Sequence, residues 1–170
     1  MKLFDECDFS PRSYPIPVDS SRALEIGKAA EHLVCADILL HGHKAFLSDQ
    51  GMPYDVILDY ELRLFRIQVR STLLVKEHPQ RKDYSPYYMF NVRRAGNGGR
   101  RSFGNDEFDL LALVALDIRT IAYIPIDDRV LQCILLRPPG VLAQKGKSSS
   151  RRCMDQYPLD MAIEEMLRVS

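Results

Sequence analysis

The run Leu110 to Leu116, LLALVAL, constrains the fold more than any other feature of the sequence. It is far shorter than the roughly 18 or more apolar residues that cross a bilayer, and it has the length of a strand buried in a core. A second apolar run follows across Asp117–Arg119, so Phe108 to Leu116 and Thr120 to Ile126 read as two buried strands. Burying both requires a sizeable core, and 170 residues supply one within a single domain.

Composition narrows the class. Hydrophobic residues make up 46% of the chain and charged residues 27%, which excludes disorder, a collagen-like chain and a coiled-coil fibre. Met1 to Ser10 carries Asp5, Glu6 and Asp8, the wrong charge for a signal peptide. Cys7, Cys35, Cys133 and Cys153 lie too far apart for a zinc motif and are too sparse for a disulfide scaffold. The expectation is a cytoplasmic protein with no membrane segment.

Residues 1–20, with Pro11, Pro15 and Pro17, read as an extended arm, and residues 21–170 as the folded domain. Ser20 or Ser21 can cap a helix that runs to about His41 and stops at Gly42. Ala23, Ile26, Ala30, Leu33, Val34, Ile38 and Leu40 make this helix apolar on most sides, with a wet stripe at Glu25, Lys28 and His32, so it should pack on a sheet. Strands are expected at Lys44 to Leu47, Tyr54 to Asp59, Leu62 to Leu74 after a tight turn near Tyr60–Glu61, Tyr87 to Arg93, and Val130 to Leu136. A closing amphipathic helix spans Leu159 to Val169. The class is α/β or α+β in one domain.

The 23 basic and 23 acidic residues cancel, which at first argues against a nucleic-acid partner. Their distribution argues otherwise. Residues 1–60 carry a balance of −5, residues 61–105 one of +7, residues 106–130 one of −4 and residues 131–170 one of +2. One edge of the molecule could therefore face phosphates, although a solvated surface would give the same count.

Three polar positions break the apolar pattern. Glu31 has Gly27, Val34, Cys35 and Ile38 as its helical neighbours, so its carboxylate needs a partner: a core arginine or a metal. Asp55 opens the strand Asp55-Val56-Ile57-Leu58, where an aspartate is often only a turn residue. In Phe65-Arg66-Ile67-Gln68-Val69-Arg70, alternation puts Phe65, Ile67 and Val69 on the core face, and Arg66, Gln68 and Arg70 on the other, by default a solvent face.

A helix glutamate, an aspartate and a polar-x-basic pair on the next strand is the order found in the PD-(D/E)XK nucleases. The segments GKAAEHLVCADILLHGHKAF and SDQGMPYDVILDYELRLFRIQVRST resemble that superfamily's group I intron homing endonuclease branch, in which Gln replaces the second acid. That branch is also similar to archaeal Holliday-junction resolvases. A looser likeness extends through YYMFNVRR and FDLLALVALDIRTIAYIPI, so it covers roughly residues 22–126.

The resemblance narrows the class to α/β, a restriction-endonuclease-like fold with a mixed central β-sheet flanked by helices. It implies a Mg²⁺- or Mn²⁺-dependent endodeoxyribonuclease that hydrolyses phosphodiester bonds. It implies Asp55, Glu31 and Gln68 as metal ligands, with the backbone carbonyl of Val69 completing the protein's share. The departure is Arg70, where the family usually has Lys; arginine keeps the charge but cannot deprotonate, and its planar fork has a different reach. The alternative is therefore a catalytically impaired DNA-binding or assembly protein on the same scaffold. Arg66, Arg93, Arg94, Arg100 and Arg101 are the expected DNA contacts, with Lys145, Lys147, Arg151 and Arg152 a second candidate patch. A double-strand cut, or resolution of a junction, needs two active sites, so a homo-oligomer, dimer or tetramer, is expected.

Overall fold

The structure, a computed structural model, describes residues 22–77, 85–92, 107–126, 133–141 and 152–169. The expected arm at residues 1–20, together with Arg93, Arg94, Arg100, Arg101, Lys145, Lys147 and Arg151, lies outside them.

Helix α1 (Ala23–Leu40) ends as the sequence predicts. Gly42 takes a φ of +86°, and the N–H groups of Gly42 and His43 return to the carbonyls of Leu39 and Ile38, the paired bonds of a Schellman motif. Arg22, not a serine, stands at the start of α1 and makes no capping hydrogen bond. Ser20 and Ser21 are outside the described residues. The helix is less buried than its composition suggests, because a single stripe, Ala30, Val34 and Ile38, enters the core. Leu24 and Leu40 are 89% and 86% exposed, so apolar content overstated the buried face.

Strands β1 (Lys44–Leu47), β2 (Val56–Tyr60) and β3 (Arg63–Thr72) form an antiparallel meander. The β2–β3 turn falls one residue later than expected, at Glu61–Leu62. Both residues have positive φ, +45° and +72°, as a two-residue hairpin turn twisted to match its strands requires. Strands β4 (Tyr88–Asn91), β5 (Leu110–Ala115), β6 (Thr120–Pro125) and β7 (Cys133–Leu136) follow, and α2 (Leu159–Val169) closes the chain. The central sheet has the order β1-β2-β3-β5-β6, with β3 and β5 parallel and its other pairs antiparallel, while β4 and β7 pair antiparallel as a separate two-stranded sheet.

All six residues of β5 are buried because each face of the strand has its own cover. Leu110, Ala112 and Val114 pack with α1 and α2 residues such as Val34, Ile38, Leu159 and Ile163. Leu111, Leu113 and Ala115 pack with Tyr88 and Phe90 of β4, Leu136 of β7 and Met154. The result is three layers: helices, the mixed sheet, and the small sheet. Two buried tyrosines tie these layers together. The Tyr123 hydroxyl on β6 donates to Asp37 Oδ2 on α1 at 2.6 Å, and the Tyr88 hydroxyl on β4 donates to Asp117 Oδ2 after β5 at 2.9 Å. Burial, reinforced by these carboxylates, pushes both phenols well above their usual range.

Candidate active site

Strand β3 carries the central part of the site. Ile67 and Val69 are buried with the helices, so period-2 alternation turns Gln68 and Arg70 onto the opposite face of the sheet. That face is not open to solvent at Gln68, which lies beside Leu111 of β5 in the parallel register and is 5% exposed. The expectation of a solvent face therefore fails at Gln68, where β5 lies alongside and the small sheet packs on the same face of β5.

Asp55 stands one residue before β2, opposite Gln68 if the β2–β3 register is continued by one step. Its backbone remains in the sheet, with its N–H bonded to the Ile67 carbonyl at 2.8 Å and its carbonyl bonded to the Ser48 N–H at 2.9 Å. Its carboxylate does two further things. Oδ2 accepts the Val69 backbone N–H at 2.7 Å and also a bond from the Gln68 side-chain amide. The Arg70 guanidinium donates to the Val69 carbonyl at 2.8 Å. Burial raises the Asp55 pKa above the ordinary carboxylate value, and the charge of Glu31 adds to this; the Val69 N–H, Arg70 and Lys28 oppose it.

Glu31 reaches the same site from α1, close enough for its charge to act on Asp55. Its side chain is 19% exposed, and its partner is Lys28 Nζ at 2.7 Å, one turn back along the helix, rather than a core arginine. The carboxylate flanks the buried stripe instead of sitting within it. Lys28 is the residue that sequence reasoning passed over, assigned to the wet stripe although its i, i+3 spacing to Glu31 was there to be read. The hydrogen bond and charge of Glu31 raise its pKa despite some desolvation, and Asp55 contributes in the same direction. The structure thus brings together Glu31, Asp55, Gln68, the Val69 carbonyl and Arg70, and adds Lys28.

Arg66 has a different environment. Its backbone N–H, Nε and Nη2 donate to the carboxylate of Asp109 at 2.7, 3.1 and 2.8 Å, and the Asp109 N–H returns to the Arg66 carbonyl at 2.9 Å. This two-pronged pair fixes the entry of β5 beside β3. Burial alone would raise the Asp109 pKa, but the Arg66 hydrogen bonds and charge outweigh that and hold it low. His41 and His43 belong to the helix-end turn, His43 against the Tyr60 ring with centroids 5.2 Å apart. Among the described residues no three His, Cys, Asp or Glu side chains come together as a metal cluster.

The fold is an endonuclease-like α/β architecture in one domain, a five-stranded mixed sheet with helices against it. Among solved structures it is similar to that of a bacterial homing endonuclease, I-Ssp6803I, with a TM-score of 0.57, 16% sequence identity, and coverage of 84% of this chain and 93% of that one. No family model and no curated protein matches the sequence. Among the described residues, no helix is long and apolar enough to cross a membrane.

Proposed function

We propose that this chain is a divalent-metal-dependent DNA endonuclease of the PD-(D/E)XK type, acting on a duplex site or on a branched junction as a homo-oligomer. The observation that carries the reading is the convergence of Glu31 from α1, Asp55 from the start of β2, and Gln68 with the Val69 carbonyl from β3, in a fold shared with a homing endonuclease.

The donor set suits a hard cation. Two carboxylates, one amide and one peptide carbonyl offer only oxygen ligands, which fit Mg²⁺ or Mn²⁺ and leave positions for water and a phosphate oxygen. The desolvated Asp55 carboxylate, with Glu31 adding to its cost of ionisation, is a charge that a cation would compensate. Gln68 turns its amide nitrogen to Asp55, so as a ligand it would present its oxygen instead. A bound ion would supply activation of water and stabilisation of charge on the phosphate.

The chain's own residues set the geometry. Asp55 is held by the Val69 N–H, which fixes its carboxylate against β3. Gln68 is held in position by its place on β3 and its burial beside Leu111. Arg70 sits at the same edge, where its guanidinium can clamp a phosphate oxygen. Arg93, Arg94, Arg100 and Arg101 would bind flanking phosphates.

The second reading, a DNA-binding protein with impaired cleavage, is favoured by the Arg70 bond to the Val69 carbonyl, which engages a proposed ligand with an unusually placed arginine. Cleavage of supercoiled plasmid and of a synthetic four-way junction in Mg²⁺ or Mn²⁺ separates the two. Metal-dependent cutting that disappears in Asp55→Ala, with DNA binding retained, supports the endonuclease. DNA binding without cutting by the wild type, together with cutting by Arg70→Lys, supports the impaired form.

A further inference from the structure

We propose that Lys28, from helix α1, supplies the mobile cation of the proposed hydrolytic site, doing from the helix what an arginine fixed on β3 does poorly. The inference rests on the endonuclease reading and concerns how that site is completed.

Three observations support it. Lys28 Nζ lies 2.7 Å from Glu31 Oε2, so the ammonium already stands on a carboxylate of the site. Its side chain is 47% exposed, on a flexible stem that solvent can reach. Arg70 Nη1, by contrast, is committed to the Val69 carbonyl at 2.8 Å. A compact ammonium with three rotatable donors can leave Glu31 for a phosphate oxygen or the attacking water. A planar guanidinium bonded to its neighbour's carbonyl is less free to follow the reaction.

Charge balance points the same way. Glu31 and Asp55 against Lys28 and Arg70 leave the site neutral. Adding one divalent cation and a dianionic phosphoryl transition state leaves it neutral again. Without Lys28 the transition state would carry an uncompensated negative charge where electrostatic stabilisation matters most. The reaction is ordinary hydrolysis: a water oxygen forms the new bond to phosphorus, the bond from phosphorus to the leaving sugar oxygen breaks, and that oxygen takes up a proton while the attacking water loses one to solvent.

An exposed i, i+3 ion pair contributes little to stability, so Lys28→Met should fold as the wild type does. The experiment compares wild type, Lys28→Met and Lys28→Met/Arg70→Lys in single-turnover plasmid cleavage at saturating Mg²⁺, and in Mn²⁺ binding without DNA by titration calorimetry. Lys28→Met should cleave about 100-fold more slowly, the scale of losing one well-placed electrostatic group. Its Mn²⁺ affinity should be unchanged or tighter, because a competing ammonium has left Glu31. Placing a lysine at position 70 should recover at least about tenfold of the lost rate, since it puts a compact donor at the same site. Cleavage by Lys28→Met within twofold of wild type overturns the proposal. So does loss of Mn²⁺ binding in step with activity, which would make Lys28 only a support for Glu31, and so does failure of the double variant to recover. A wild type that binds Mn²⁺ yet cuts no substrate refutes the endonuclease reading itself, and the role of Lys28 falls with it.

Discussion

Arg66, an expected DNA contact, is also clamped to Asp109, and the strength of that clamp can be measured. Removing the carboxylate in Asp109→Ala takes away the acceptor for three donors of Arg66, at 2.7, 3.1 and 2.8 Å. Hydrogen bonds to charged groups contribute about 1.5–3 kcal/mol each when buried, and exposed ion pairs only about 0.2–1. The two side chains are 37% and 31% exposed, so the set belongs between these limits. We expect a total loss of about 2–3 kcal/mol, part of it from leaving the Arg66 backbone N–H without its acceptor. At roughly 2–4 °C per kcal/mol for a domain of this size, Tm should fall by about 5–10 °C. The pH dependence has a definite sign. The folded pKa of Asp109 is depressed, so its contribution is present above the unfolded carboxyl value of about 3.9 and disappears as pH falls through the folded value. The Tm gap between wild type and Asp109→Asn should thus be wide at neutral pH and close below about pH 4. Thermal unfolding followed by circular dichroism at neutral and acid pH, with DNA affinity of Arg66→Met measured alongside, tests both parts. An Asp109→Ala protein as stable as wild type, together with an Arg66→Met protein that loses DNA affinity at unchanged Tm, would show that Arg66 serves the phosphates and that the clamp is incidental.

The remaining predictions concern the site, the layers and the basic segment. On the proposed reading Asp55→Asn should abolish metal-dependent cleavage while Tm holds or rises by up to a few degrees, because burial and the charge of Glu31 both disfavour the ionised carboxylate; cleavage and calorimetry on one preparation check this. Tyr123→Phe removes the 2.6 Å bond to Asp37 that joins β6 to α1 and should cost about 1–2 kcal/mol, a fall of roughly 3–6 °C in a thermal melt. Replacing Arg100 and Arg101 with Gln should make the slope of log affinity against log salt shallower by about 2, if each neutralises one phosphate.

How much was legible in the sequence depends on the range of the interaction. Local rules placed α1, its stop at Gly42, the β2–β3 hairpin and the two runs that became β5 and β6, with strand ends overshot by a residue or two because apolar content continues past the last ladder bond. Period-2 alternation was enough to put Gln68 and Arg70 on one face, while Asp55 joined them only through the family resemblance. Alternation could not reveal that Gln68 is buried, because its neighbour Leu111 comes more than 40 residues on and the small sheet with Tyr88 and Phe90 packs on that face of β5. The pairing of Arg66 was hidden for the same reason: its partner Asp109 lies 43 residues away and meets it only once β3 and β5 run in parallel. The apolar count around Glu31 exaggerated its burial, since a helix lying on a sheet buries one stripe, here Ala30, Val34 and Ile38, and leaves its flanks to longer side chains such as Lys28.

The same alternation that builds the core also aligns the site. In the antiparallel register Val56 faces Ile67 and Leu58 faces Phe65, all four buried on the helix side. One step beyond Val56, the Asp55 backbone still bonds to Ile67 while its carboxylate takes the N–H of Val69. A slip of one residue between β2 and β3 would turn Ile67 and Val69 out of the core and carry Gln68 and Arg70 into it. It would lose several buried aliphatic side chains, each contributing about 1.5–3 kcal/mol, before any polar bond was counted. The hydrophobic pattern therefore holds Asp55 and Gln68 opposite one another far more firmly than their own hydrogen bonds could. That leaves their carboxylate and amide free to exchange partners without loosening the sheet. The proposed exchange of internal bonds for a cation and a phosphate relies on this division, with position fixed by apolar burial and partner exchange left to the polar groups.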